Sequence, residues 1–219
     1  MQNGDGEVIW RPLSNPLKLQ ISAFSDNNPR GFGLLQRKRR FSDYNDLEAQ
    51  YHNRPAVWIT PGEDWGKGAV TLVEIPADLE IYDNIVAYWR PAAPLAPGAQ
   101  HQMSYTLHWG ADPVAATADI PVKVLNTAIG GRMEGGQVVV IDFADGPDVP
   151  DDLSRIEVLL RSGDVDLTQG TVQRNPDTNG PRYAFTFEPG DAELVEFRVQ
   201  LQLDGDPLSE VWLYRWTAS

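Results

Sequence analysis

The sequence predicts an all-β protein built as two modules in tandem. Three observations carry this. Short runs rich in β-branched and aromatic residues recur along the chain, many alternating apolar with polar, which is the period of a half-buried strand. Proline and glycine, 17 and 19 of the 219 residues, punctuate these runs. Only one stretch, 41–55, spaces its larger residues as a helix would.

Taken in order, the N-terminal "MQNGDGEVIWRPL" begins with polar turn residues and runs into "VIWRPL", which reads as a strand. It has neither the basic start nor the apolar core of a signal peptide. The chain therefore reads as starting inside a domain, with the beginning of a longer protein absent. Strands are expected in "PLKLQISAF" (16–24), "AVWITP" (56–61), "AVTLVEIP" (69–76), "NIVAYWRP" (84–91) and "QMSYTLHWG" (102–110). In "FSDYNDLEAQYHNRP" (41–55), Tyr44, Leu47, Glu48 and Tyr51 fall at helical spacing; a short helix is expected, with Ser42 as N-cap and Pro55 as its stop. "PAAPLAPGAQ" (91–100) is a proline-rich connection between strands, and "GADPVAATADIPV" (110–122), small-residued and aperiodic, marks the boundary between a first module over 1–112 and a second over 113–219.

The second module holds seven candidate strands: "IPVKVLNTAIGG", "GQVVVIDFA", "RIEVLLRSGD", "LTQGTVQRNP", "RYAFTFEP", "LVEFRVQLQLDG" and "SEVWLYRW". In the sixth, Phe197, Val199, Leu201 and Leu203 share one face and Arg198, Gln200 and Gln202 the other. "LDGDPLS" (203–209) is a turn, and beyond it Trp212, Tyr214 and Trp216 share a face. Seven short strands in about 100 residues predict an immunoglobulin-like β-sandwich.

Composition removes several function classes. A net charge of −13 opposes nucleic acid and anionic membrane surfaces. The absence of cysteine excludes disulfides, thiolate metal sites and a cysteine nucleophile. No apolar run approaches the roughly 20 residues of a membrane helix, so the chain is not membrane-embedded. The three histidines, His52, His101 and His108, are not spaced as metal ligands, and no GxSxG accompanies them. "DVPDD" (148–152) lacks the spacing of a calcium loop, and "GFGLLQR" (31–37) lacks the rest of a dinucleotide fingerprint. No cofactor or metal is expected.

Carboxylates remain. "GEDWGKG" (62–68) sets Glu63 and Asp64 beside Trp65 between two expected strands, and Asp43, Asp46, Glu48, Glu74 and Asp83 lie in the same module among Tyr44, Tyr51, Trp58 and Trp89. Glycoside hydrolysis uses paired carboxylates, and saccharide sites favour aromatic platforms. The same residues also read as a solvated acidic hairpin with tryptophans turned into the core, and composition alone leaves both readings open.

The motifs "GFGLLQR", "YNDLEAQYHNRPAVW", "DWGKGAV" and "DNIVAYW" go further. Over residues 29–91 densely, and more weakly to the end, the chain resembles the periplasmic glucan biosynthesis proteins OpgG and OpgD, also called MdoG and MdoD. The resemblance implies a periplasmic, Gram-negative protein acting on osmoregulated glucans with a β-1,2-linked glucose backbone. It implies the C-terminal part of a large galactose-mutarotase-like β-sandwich followed by an immunoglobulin-like one. It also implies inverting endo-β-1,2-glucanase chemistry. The family's general acid, an aspartate, is placed on Asp64, with Asp43 and Asp46 next in order; Trp65, Glu63, Tyr44, Asp46 and Trp58 are the expected substrate contacts. A general acid needs a raised pKa, which burial against Trp65 and the like charge of Glu63 would supply, and Gly62, Gly66 and Gly68 would admit a sugar close to the backbone. The family's general base lies upstream of this motif and has no counterpart here, so the chain is expected to be inactive alone. The expected partners are β-1,2-linked glucan and a membrane glucan synthase, and the alternative is a non-catalytic glucan-binding or scaffold module.

Overall fold

The structure, a computed structural model, describes residues 1–114 and 121–218. The middle of the predicted linker over 110–122, residues 115–120, therefore falls outside the described residues. Strands run in the order β1 (Ile9–Trp10), β2 (Gln20–Asn27), β3 (Phe32–Leu34), β4 (Ala56–Pro61), β5 (Lys67–Glu74), β6 (Ile85–Pro91), β7 (Tyr105–Gly110) and β8 (Val124–Gly131). They continue as β9 (Gln137–Phe143), β10 (Ile156–Ser162), β11 (Asp166–Arg174), β12 (Pro181–Glu188), β13 (Leu194–Leu203), β14 (Asp206–Pro207) and β15 (Val211–Thr217). The all-β prediction holds: the described residues outside the strands contain only single 3-10 turns, at Phe41–Asp43, Tyr51–Asn53 and Leu153–Arg155.

The helix expected over 41–55 does not form. Asn45 and Gln50 adopt left-handed backbone, with φ of 52° and 50°, which an α-helix cannot accommodate. Between them the Asp46 carboxylate accepts from the backbone N–H groups of Glu48 and Ala49 at 3.0 and 3.1 Å, taking donors a helix would use. Ser42 lies inside the first turn, whose N-cap is Arg40.

The chain divides into two compact units, residues 1–7 with 13–114 and residues 8–12 with 121–218 among those described. The first contains two antiparallel three-stranded sheets, ordered β2-β5-β6 and β3-β4-β7. Its buried apolar residues include Phe32, Ala56, Trp58, Val70 and Leu72. Close backbone approach shapes this core. A Cβ on Gly31 would stand 2.6 Å from the Trp58 indole, and one on Gly68 would stand 2.4 Å from the Trp89 indole and 2.5 Å from the Arg90 carbonyl oxygen. Gly68→Ala should therefore cost about 1–3 kcal/mol by overpacking, seen as a lower midpoint in thermal unfolding of the first unit; a variant as stable as the parent would contradict this contact.

In the second unit, the sheet ordered β11-β12-β9-β8 faces the sheet ordered β1-β15-β13-β10, with β14 paired to β13. One core joins them: Val139, Ile141 and Phe143 from β9, Tyr183, Phe185 and Phe187 from β12, Val195, Phe197, Val199 and Leu201 from β13, and Trp212 from β15. The alternation read from the sixth strand is present, but Leu203 is only half-buried. Gln200, expected on the wet face, is 7 % exposed because the turn that follows folds over it and the Ser209 carbonyl accepts from its Nε2 at 3.3 Å. That turn is a two-residue hairpin, Asp204 and Gly205 both at positive φ, 53° and 91°. Strand β1, from the N-terminal stretch, pairs in parallel with β15, Ile9 opposite Val211 and Trp10 opposite Trp212.

Candidate functional site

The segment 62–66 is not a hairpin. Strand β4 belongs to the β3-β4-β7 sheet and β5 to the β2-β5-β6 sheet, so the chain between them steps from one sheet to the other. It is tied at both ends. The Ser104 carbonyl accepts from Gly62 N–H at 2.9 Å and from the Trp65 indole Nε1 at 3.3 Å. At the far end Gly66 N–H donates to the Asn28 side chain at 2.6 Å, and Asn28 N–H returns a bond to the Gly66 carbonyl at 3.0 Å. Gly66 has φ +73° and open space where a Cβ would stand, whereas Gly62 is closed by Ser104 and Gly68 by Trp89. Of the three glycines, only Gly66 leaves room for an approaching ligand.

Trp65 anchors the segment. Its ring is half-buried among Phe32 at 6.4 Å edge-on, Trp89 at 5.9 Å tilted and Tyr105 at 6.3 Å edge-on between centroids. Turning the indole inward turns its neighbours outward: Glu63 and Asp64 are both exposed. Among the described residues no hydrogen bond or ion pair engages either carboxylate. Asp64 is thus a water-facing carboxylate on a loop whose backbone is pinned.

The other expected contacts lie elsewhere in the first unit. Tyr44 stacks on Tyr51 at 6.1 Å between centroids and donates its hydroxyl to the Lys38 carbonyl at 3.2 Å. Burial, with the Asp43 charge second, raises the Tyr44 phenol. Tyr51 donates its hydroxyl to Glu80, a bond that raises its pKa, and carries the Arg54 guanidinium 5.1 Å above its ring. Asp46 is occupied in its own turn, and Asp43 accepts from Arg40 N–H at 2.9 Å. Trp58 is 2 % exposed and offers no free ring face. No hydrogen bond, ion pair or ring contact among the described residues joins the Tyr44–Tyr51–Glu80 group to the Trp65 group.

His52 packs edge-on to Phe41 at 5.5 Å. The described residues contain no cluster of three or more His, Cys, Asp or Glu able to hold a metal ion, and no helix long and apolar enough to cross a membrane. Sequence reasoning passed over Tyr88 and Arg90. They alternate along β6 with Trp89, on the opposite face of the sheet, and both are exposed. The signal lay in the period-2 pattern of "NIVAYWRP", but apolar residues on both faces hid which one was wet.

Comparison with known proteins bears on this arrangement. A family model described as "Periplasmic glucan biosynthesis protein, MdoG" matches residues 1–216. Glucans biosynthesis protein G 1 of Shewanella oneidensis is 45% identical over 221 residues, covering 99% of this chain and 40% of that protein. Glucans biosynthesis protein G of Vibrio cholerae serotype O1 is likewise 45% identical over 221 residues, with 99% and 40% covered. The Shewanella frigidimarina protein of the same name is 46% identical over 219 residues, with 98% and 38% covered. The chain spans about 40% of the length of the curated relatives it matches.

Proposed function

Because the chain belongs to the MdoG family of periplasmic glucan biosynthesis proteins, we propose that it acts in the periplasm on β-1,2-linked glucan during the making of osmoregulated glucans, as part of an inverting endo-β-1,2-glucanase. Asp64 is the proton donor to the leaving glycosidic oxygen, with Trp65 and Glu63 beside it, while Tyr44 and Asp46 belong to a separate group that only a further part of the glucan chain would reach. The observation that carries this is the pinned 62–66 segment, which holds an exposed carboxylate at a defined place beside a fixed indole. A donor must be positioned within hydrogen-bond reach of the oxygen it protonates, and a loop tied at both ends provides that constraint. Inversion requires a second carboxylate with room for a water between the two.

The unit built on residues 121–218 is read as immunoglobulin-like. Numbering its seven long strands A to G in chain order, its sheets run A-B-E-D and C-F-G, the constant-type arrangement. The first unit is read as part of a galactose-mutarotase-like sandwich. A second functional reading is favoured by Asp64 itself, which among the described residues has no side chain engaging it. On that reading the chain binds glucan without cleaving it and docks on a membrane glucan synthase.

One experiment separates them. Linear β-1,2-glucan is offered to a full-length glucans biosynthesis protein G in which this 219-residue chain replaces the matching segment, and to the same protein with Asp64→Asn, with cleavage read as new reducing ends and binding by calorimetry. The donor role predicts a fall in cleavage of about 100-fold or more with binding retained. Unchanged cleavage removes Asp64 from the mechanism, and binding with no cleavage by the full-length parent protein selects the second reading.

A further inference from the structure

We infer that a groove on the exposed face of the β2-β5-β6 sheet, bounded by Ser25 and Arg90 over Ala69, is a binding subsite for one glucosyl unit of a neutral saccharide chain. This rests on the glucan reading and extends it to residues outside the 62–66 segment. The β-ladder sets Ser25 opposite Ala69 and Ala69 opposite Arg90, so the three form one row across three strands. Strands lie about 4.8 Å apart, which puts the two polar residues on strands about 10 Å apart with a methyl group between them. Pro91 and Pro94 also line the groove, an open depression of about 420 Å³. The neighbouring row, Ala23–Thr71–Tyr88, carries two small residues and an exposed aromatic ring in place of the guanidinium. Thr71 is 3 % exposed and its hydroxyl is buried without a partner.

The polar groups at the groove are uncommitted. Arg90 and Ser25 are both exposed, and neither side chain has a hydrogen bond or ion pair among the described residues. Arg90 is therefore a free cation in a chain with 31 acidic and 18 basic residues, where acidic partners are plentiful. A guanidinium presents parallel N–H donors that match two adjacent hydroxyl oxygens of a pyranose ring. Ser25 can donate to or accept from a hydroxyl at the opposite edge. The Ala69 methyl and the proline rings meet the apolar face of the sugar, and Tyr88 stands one row along for the next unit. An anionic ligand would approach against a net charge of −13, whereas a neutral saccharide meets no such barrier.

The test is calorimetry of a linear β-1,2-linked gluco-oligosaccharide with the 219-residue chain, Arg90→Ala, Ser25→Ala and the double variant. Arg90→Ala should weaken binding by about tenfold or more and Ser25→Ala by a few-fold, because each removes a hydrogen-bonding group without leaving a buried polar atom behind. Both residues are exposed, so thermal unfolding midpoints should stay unchanged. The backbone amide resonances of Ser25, Ala69 and Arg90 in the parent chain should shift on titration. Parent-level affinity in the double variant, or shifts confined to other strands, overturns the subsite while leaving the glucan reading intact. No binding by the parent chain overturns both.

Discussion

Trp212→Ala is expected to remove about 3–5 kcal/mol from the stability of the second unit, the range for deleting a fully buried tryptophan. Trp212 is 0 % exposed, stacks on Tyr214 at 5.4 Å and meets Phe185 edge-on at 6.4 Å. Its indole Nε1 donates to the Thr127 hydroxyl at 2.8 Å. Strand β15 belongs to one sheet and β8, which carries Thr127, to the other, so this side chain closes the sandwich by packing and by a polar bond at once. Whole domains have only about 5–15 kcal/mol in reserve, so one substitution takes a large share. Urea unfolding followed by hydrogen exchange is the measurement. Amides of β9, β12 and β13 should lose protection while those of β2 and β5 keep it. A loss below about 1 kcal/mol would mean that the sheets close without this residue.

The second large effect is electrostatic. Asp142 is 4 % exposed on the outer face of β9, with Asn126 and Arg182 opposite it on the flanking strands. Its carboxylate accepts from Arg182 at 2.6 and 3.0 Å and from Asn175 at 2.8 Å. Burial pushes this carboxyl's pKa up, but the bonds from Arg182 and Asn175 outweigh it, and the net direction is below the ordinary 3.8. A carboxylate with a depressed folded-state pKa contributes stability that is fully present above the unfolded value and lost as pH falls through the folded one. Asp142→Asn should thus cost about 2–3 kcal/mol at neutral pH, less than a fully buried pair would, because Arg182 can turn to water. The gap between parent and variant should hold from pH 7 to about 5 and close below about pH 4. A gap independent of pH would show that shape, not charge, is what Asp142 contributes.

Periodicity made most of the strands legible, because a half-buried strand writes its burial into every second residue. "RYAFTFEP" and "LVEFRVQLQLDG" are the clearest cases. Three things were not written that way. Strand β3, three residues long, is too short to show a period, and its residues stand out in the sequence only for the GxG of "GFGLLQR". The stretch 41–55 has helical spacing, but its fate turns on Asn45 and Gln50 accepting left-handed backbone and on the Asp46 side chain competing for amides, which spacing does not report. And alternation tells which residues share a face without telling which face is wet. Trp58 and Tyr88 look alike in sequence, each an aromatic in an apolar strand, yet one sits beneath Gly31 and the other faces solvent. In the same way "GEDWGKG" was legible as an acidic turn, while its passage between two sheets depended on pairings with β7 and β2 that lie far away in the chain.

The contribution of residues 8–12 to the second unit bears on how such a chain can be cut and recombined. Because β1 lies between the two stretches of the first unit, 1–7 and 13–114, but pairs within the second, the backbone passes from one unit to the other three times. A nuclease or recombination event that lifted only the codons for 121–218 would carry away a sheet lacking its parallel neighbour, with the backbone edge of β15 bare beside Trp212. Likewise, a single backbone cut after residue 114 would leave residues 8–12 covalently part of the first unit's chain while paired with β15 of the second. The two units share one inheritance: neither is a portable cassette, and they are expected to be gained or lost together.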